Sequence, residues 1–168
     1  MTYQLRPHPS TPCPNVKSID VEVDHAASLL RLRYRLTGDI ESLLIPVDGA
    51  AERRDELWRH TCCEMFCADD GEAYREFNFA PSEAWAAYEF DSYRRGMRPS
   101  AIVPPSISAE IDATTLVLAA EISIDHSSAA LGLACVVETK SGELSYWALR
   151  HPQSRPDFHD RGGWIALR

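Results

Sequence analysis

The stretch LLRLRYRL, residues 29–36, constrains the fold more than any other part of the chain. Leu30, Leu32, Tyr34 and Leu36 alternate with Arg31, Arg33 and Arg35. A helix turns every 3.6 residues and would spread those arginines around its circumference, whereas a strand sends successive side chains to opposite faces. The segment therefore reads as a strand with one buried and one wet face. Ile19, Val21 and Val23 repeat the pattern upstream, with DHAAS (24–28) as a hairpin connection.

The same alternation, broken by turn signals, runs through the rest of the chain. Residues 40–45 read as a third strand stopped by Pro46, and VDGAAERRDELW (47–58) as a long loop or a single helical turn. Strand character resumes over 61–68, breaks at the Asp70-Gly71 turn signal, and returns in YREFNFA (74–80) and AWAAYEF (84–90). RRGMRPSAIVPPS (94–106) carries three prolines and a glycine, which makes it loop or edge strand. SAEID and TLVLAAEISI form a hairpin joined at Ala113-Thr114; LGLACVVETK and ELSYWAL form another, turning at Ser141-Gly142. A short last strand is expected over 164–167. DHSSAALGLA (125–134) is the only helical rival, and its length is marginal for a helix. About ten or eleven short strands without a long helix imply an all-β fold, an antiparallel β-sandwich or a closed barrel. A chain of 168 residues suits a single domain with a substantial core.

The formal charge of −8 disfavours nonspecific binding to nucleic acid or to anionic membranes. The one basic cluster, Arg94-Arg95 with Arg98, reads as a solvated loop. No apolar run is long enough to span a bilayer and no secretory leader is visible, so a cytoplasmic setting with reduced cysteines is expected. Five cysteines at uneven spacing also argue against a disulfide framework.

Three of those cysteines fall in LWRHTCCEMFC, residues 57–67. As a strand, this stretch puts Cys62, Glu64 and Phe66 on one face and Cys63, Met65 and Cys67 on the other, apolar one, where buried thiols behave as small hydrophobes. A metal reading would take His60, Cys62 and Glu64, but a fourth ligand and CxxC spacing are missing. A haem reading would use Met65, Met97 or a histidine, and no CxxCH is present. No metal and no cofactor are expected. Glu64, Glu76, Glu83 and Glu89 could supply a carboxylate pair for glycoside hydrolysis, whose separation a sequence does not show. GxSxG, HExxH and a glycine-rich phosphate loop are all missing from the sequence. Glu64 stands among apolar neighbours, and burying it alone would be costly. It needs a partner, for which Arg75 is the structural candidate, or it belongs to a site.

Three pieces carry a family resemblance: LWRHTCCEMF, YREFNFAPSEAWAAYEFDSYRRGM and YWALRHPQSRPDFHDRGGW. They resemble the bacterial DOMON-like proteins, which are similar to the family-nine carbohydrate-binding modules. The resemblance implies a sandwich of two antiparallel sheets with jelly-roll-like connections. It also implies a sugar-chain end held between two tryptophans. Trp58 and Glu64 look like that family's first tryptophan and its sugar-bonding glutamate, and Trp164 like the second tryptophan. Arg75 and Asn78 would add polar contacts, with Asp157 and His159 at the rim of the same mouth. The competing expectation for the DFHDR run is that its aspartates cap turns. Trp85 and Trp147, inside alternating strands, are expected in the core. The leading expectation is noncatalytic binding of a small saccharide or polyol. The alternatives are a hydrolase using Glu64 and His159, a haem-binding domain, and a protein-interaction module forming a homodimer.

Overall fold

The computed structural model describes residues 1–26, 28–124 and 129–166. Among them, every regular element other than three single 3₁₀ turns is a strand. In chain order these are β1 (Thr2–Pro7), β2 (Val16–Ala26), β3 (Leu29–Gly38), β4 (Cys62–Ala68), β5 (Tyr74–Phe79), β6 (Trp85–Phe90), β7 (Arg98–Pro99), β8 (Ser106–Ile111), β9 (Thr115–Ser123), β10 (Ala130–Glu138), β11 (Leu144–Ala148) and β12 (Ile165–Ala166). The strands pair antiparallel in the order β7-β6-β5-β4-β10-β11-β1-β2-β3-β9-β8, with β12 on β10.

The sheet curls because β1 serves two halves of it. Thr2–Leu5 pair with β2, while Arg6 and Pro7 pair with β11. One strand thus turns the corner between two facing layers, a device of sandwich-like folds. The first layer contributes Ile19, Val21, Leu32, Tyr34, Leu36 and Leu118 to the core, and the second Met65, Phe77, Phe79, Leu131, Leu133 and Cys135. Arg31 and Arg35 face solvent, as the alternation in 29–36 requires. Tyr34, fully buried, donates its hydroxyl to the Glu64 carbonyl at 2.8 Å and ties one layer to the other.

Three expectations need correction. Residues 40–45 are not a strand. Ile40–Ser42 form a 3₁₀ turn, and Leu43 makes a single bridge to Thr139. The buried pair Ile40 and Leu43 is three apart, the spacing of a turn rather than of a pleat. β1 was not foreseen, because in TYQLRP only Leu5 is fully buried and Tyr3 half-buried, too short a pattern to stand out. The connection in 24–28 is shorter than DHAAS, since β2 runs to Ala26 and β3 starts at Leu29; residue 27 lies outside the described residues. In the helical rival 125–134, residues 130–134 are strand and 125–128 lie outside the described residues. Among the described residues no helix is long and apolar enough to cross a membrane.

Candidate functional site

β4 is buried throughout because both of its faces are covered. Cys63, Met65 and Cys67 join the core between the layers, while Phe66 joins a second aromatic cluster on the outer face of the second layer. Glu64 shares that outer face. In register, Glu64 lies between Asn78 of β5 and Ala134 of β10, which is followed by Ala148 of β11. Two alanines leave the sheet surface low on one side of the carboxylate. Glu76 of β5 sits on the same face, opposite Phe66.

Three loops rise around this low ground and enclose a cavity of about 320 Å³. Its deepest polar side chains are Glu64 and Glu76, 2% and 4% exposed, while Met97 at the rim is 49% exposed. Trp58, Phe90, Tyr146 and Phe158 form aromatic wall, and Arg94 and His159 complete the polar lining.

Each loop is held by identifiable contacts. Trp58 belongs to the 3₁₀ turn Leu57–Arg59, entered through Glu56 at a left-handed φ of 62°. Its ring meets Tyr88 edge-on at 5.7 Å, and the Tyr88 hydroxyl donates to Asp55 at 2.6 Å, pinning the turn to β6. The loop after β11 is clamped by Arg161, which donates to the carbonyls of Gly71, Glu72 and Ala73 at the β4–β5 connection. Asp157 accepts from the His159 backbone N–H at 3.1 Å and from Arg94 Nη2 at 2.8 Å, and it also accepts from the Tyr93 hydroxyl. Asp160 accepts from the Gly162 N–H at 2.8 Å. Both aspartates therefore cap turns, and Asp157 positions Arg94 as well.

The electrostatics follow from depth. Burial, reinforced by Glu76, holds the Glu64 carboxyl well above the ordinary carboxylate range, and its Oε1 has no hydrogen-bond partner among the described residues. Burial raises Glu76 to about 6, against a hydrogen bond from Asn78 Nδ2 to its Oε1 at 2.8 Å and the more distant charge of Arg94. Burial and then Arg94 lower His159 to about 4. Burial would raise Asp157, yet the bonds from Tyr93 and Arg94 keep it below the ordinary range. The Tyr74 hydroxyl accepts the Arg94 backbone N–H at 3.1 Å and shares a hydrogen bond with His159 Nδ1 at 2.7 Å. The other ring nitrogen, Nε2, lies 3.7 Å from Glu76 Oε2.

Of the residues singled out in the sequence, Trp58, Glu64 and His159 line the cavity and Asp157 supports it. Trp164 does not line it. Its indole is 6% exposed, packs on Phe66 and Tyr74, and donates Nε1–H to the Phe158 carbonyl at 2.9 Å. It sits directly over Gly132, where a Cβ would come within 2.7 Å of the ring. The expected pair of flanking indoles is thus one indole at the cavity and one beneath its wall. Asn78 is fully buried below the lining, holding Glu76. Arg75 pairs in register with Cys67, on the core-facing side of β5, so it neither reaches the cavity nor pairs with Glu64. Met65 is fully buried in the core and does not reach the cavity. Trp85 and Trp147 lie in the core as expected.

Glu76 and Arg94 were visible in the sequence only as members of a carboxylate list and of a basic cluster. Phe90, Tyr146 and Phe158 carried no signal. Phe90 of β6 and Tyr146 of β11 look like ordinary strand residues, and only the folded sheet brings them to the cavity that Glu64 lines. Among the described residues, no three His, Cys, Asp or Glu side chains converge on a point that could hold a metal.

No protein-family model and no curated protein matches the chain. A solved structure from Bacteroides uniformis, named a "putative carbohydrate-binding protein", has a similar fold. The two superpose with a TM-score of 0.68 over 99% of this chain and 85% of that one, at 14% sequence identity. The likeness is one of fold.

Proposed function

We propose that the cavity binds a small saccharide without chemical turnover. The observation that carries this reading is the pairing of an aromatic wall with a buried carboxyl whose Oε1 lacks any protein partner. A pyranose has apolar C–H faces and a belt of hydroxyls. Aromatic rings such as Trp58 and Phe158 cover the faces, and a hydroxyl directed at Glu64 supplies the missing hydrogen bond. The volume of about 320 Å³ falls at the small end of the range of ligand pockets, which favours a mono- or disaccharide over a long chain. The name borne by the Bacteroides uniformis protein of similar fold agrees with this reading. The kinship with the DOMON-like and family-nine modules that we propose rests on the sequence pieces that resemble them, with the difference that among the described residues a single tryptophan lines the cavity.

The hydrolase alternative is weaker on geometry. His159 Nε2 faces Glu76 rather than Glu64, and a ring whose conjugate acid titrates at about 4 is a poor general base near neutrality.

Isothermal calorimetry against a panel of mono- and disaccharides tests the proposal. Saturable binding is expected, weakened by about tenfold or more in Trp58→Ala. A flat response across the panel, from protein with a native near-ultraviolet spectrum, contradicts it.

A further inference from the structure

Two carboxyls in the cavity have no basic partner. Arg94 is bound to Asp157 at 2.8 Å, so its positive charge is already matched. His159 is hydrogen-bonded to the Tyr74 hydroxyl through Nδ1 and is an uncharged ring. What remains facing the cavity is the pair of carboxyl side chains, Glu64 and Glu76, side by side on neighbouring strands and both more than nine-tenths buried. Glu76 Oε1 is taken by Asn78, and its Oε2 has only the 3.7 Å approach of His159. Glu64 Oε1 has nothing. The same cavity is lined by aromatic rings, which attract cations as well as C–H groups. A sugar hydroxyl satisfies one such acceptor and leaves the carboxyls holding their protons. A primary ammonium carries three donors, no acceptor and a positive charge.

We propose that the saccharide bound here carries a basic amine, with its ammonium group between the carboxyls of Glu64 and Glu76 and its ring against Trp58. This rests on the reading of the cavity as a saccharide site and names the class of sugar. Seating a cation between the carboxyls draws both toward their ionised forms, so binding releases protons from the pair. Acetylating the amine removes the charge and adds bulk, so N-acetyl sugars are excluded. The groups that face the pair are Arg94 and His159 in the cavity, Asn78 beside it, and the thiols of Cys62 and Cys135 in the sheet. None of these is positioned to supply the missing cation: Arg94 is held by Asp157, and the others are uncharged.

The experiment is calorimetry on the intact protein at about pH 6, where Glu76 titrates, in two buffers of different ionisation enthalpy. The probes are glucose, galactose and mannose, their 2-amino-2-deoxy derivatives, the N-acetylated forms of those, and ethylamine. The expected result is that one amino sugar binds at least about tenfold tighter than both its neutral parent and its N-acetyl form. Its heat of binding differs between the buffers, and Glu76→Gln brings the ratio of amino to neutral sugar to about one. The buffer comparison needs no variant, so it stands even if the substitution unfolds the protein. Neutral sugars binding as tightly as amino sugars, or heats identical in both buffers, would overturn the amine proposal while leaving saccharide binding intact. Ethylamine matching the amino sugar would show that the ring contributes nothing and would overturn both readings. So would no binding by any probe.

Discussion

At the scale of single residues, Glu64 is where stability and binding oppose each other. Its folded-state carboxyl holds its proton far above the range of an unfolded glutamate. Between those limits the native state binds the extra proton, so the stability Glu64 contributes falls as pH rises. Glu64→Gln keeps the shape and removes the ionisation. Its stability relative to the natural protein should therefore improve from pH 5 to pH 8 in urea titrations, while saccharide binding weakens; a constant difference would show that Glu64 is not held protonated. His159 has the opposite sign. Its folded value of about 4 lies below the 6.5 of an exposed imidazole, so the unfolded chain binds more protons in that window and stability rises with pH. His159→Asn should lose up to about 3 kcal/mol of that pH dependence between pH 4 and 6.5. The same denaturation midpoints read it, and parallel curves for the two proteins would contradict it.

At the scale of elements, the outer face of the second layer depends on what is missing from β10. Gly132 has no side chain, and the Trp164 indole occupies the space, 2.7 Å from where a Cβ would stand. Gly132→Ala should cost about 1–3 kcal/mol, as overpacking does, and should shift the near-ultraviolet signal of the aromatic cluster; unchanged thermal stability would mean that the indole is not seated there. The loop carrying Phe158 and His159 is tied down by Arg161 through three backbone carbonyls. Arg161→Ala should speed hydrogen exchange across residues 150–164 while leaving β2 and β3 protected. These elements also mark what the sequence revealed. Period-two alternation disclosed β3, β9 and the two-faced β4, because a pleat imposes that period on any strand with one core face. The strand β1 stayed hidden because its work is to turn the corner, which requires only one buried side chain. Residues 40–45 misled because Ile and Leu three apart can bury equally well in a turn.

At the scale of the whole molecule, the site lies on the outer face of the second layer, with the sealed core between the layers behind it. The interior is sealed by contacts such as Tyr34 with the Glu64 carbonyl, which joins the two layers directly beneath the cavity. Tyr34→Phe should lower global stability by about 1 kcal/mol and loosen β4; an unaltered unfolding midpoint would show that the bond is not needed. Half of the site was legible in advance. A buried glutamate on an apolar strand announces an unmet requirement, and a tryptophan in a polar loop announces a surface role. The other half was not, because a cavity wall built from Phe90, Tyr146 and Phe158 draws on three distant segments that only the pairing of β6, β5, β4, β10 and β11 and the loop after it bring together. Trp164, expected as the second wall, fills the sheet surface instead, since Gly132 leaves a hollow that a large ring occupies more favourably than water.

The central claim is that Trp58 is the tryptophan a saccharide touches. Nitrogen-15 correlation spectra resolve each indole N–H separately, with the Trp58 signal assigned by its loss in Trp58→Phe. Titrating the protein with the sugars described above should move the Trp58 resonance saturably and leave those of the core residues Trp85 and Trp147 in place. A Trp58 resonance that stays fixed while saturable binding is recorded by calorimetry, or shifts confined to the core indoles, would contradict the account.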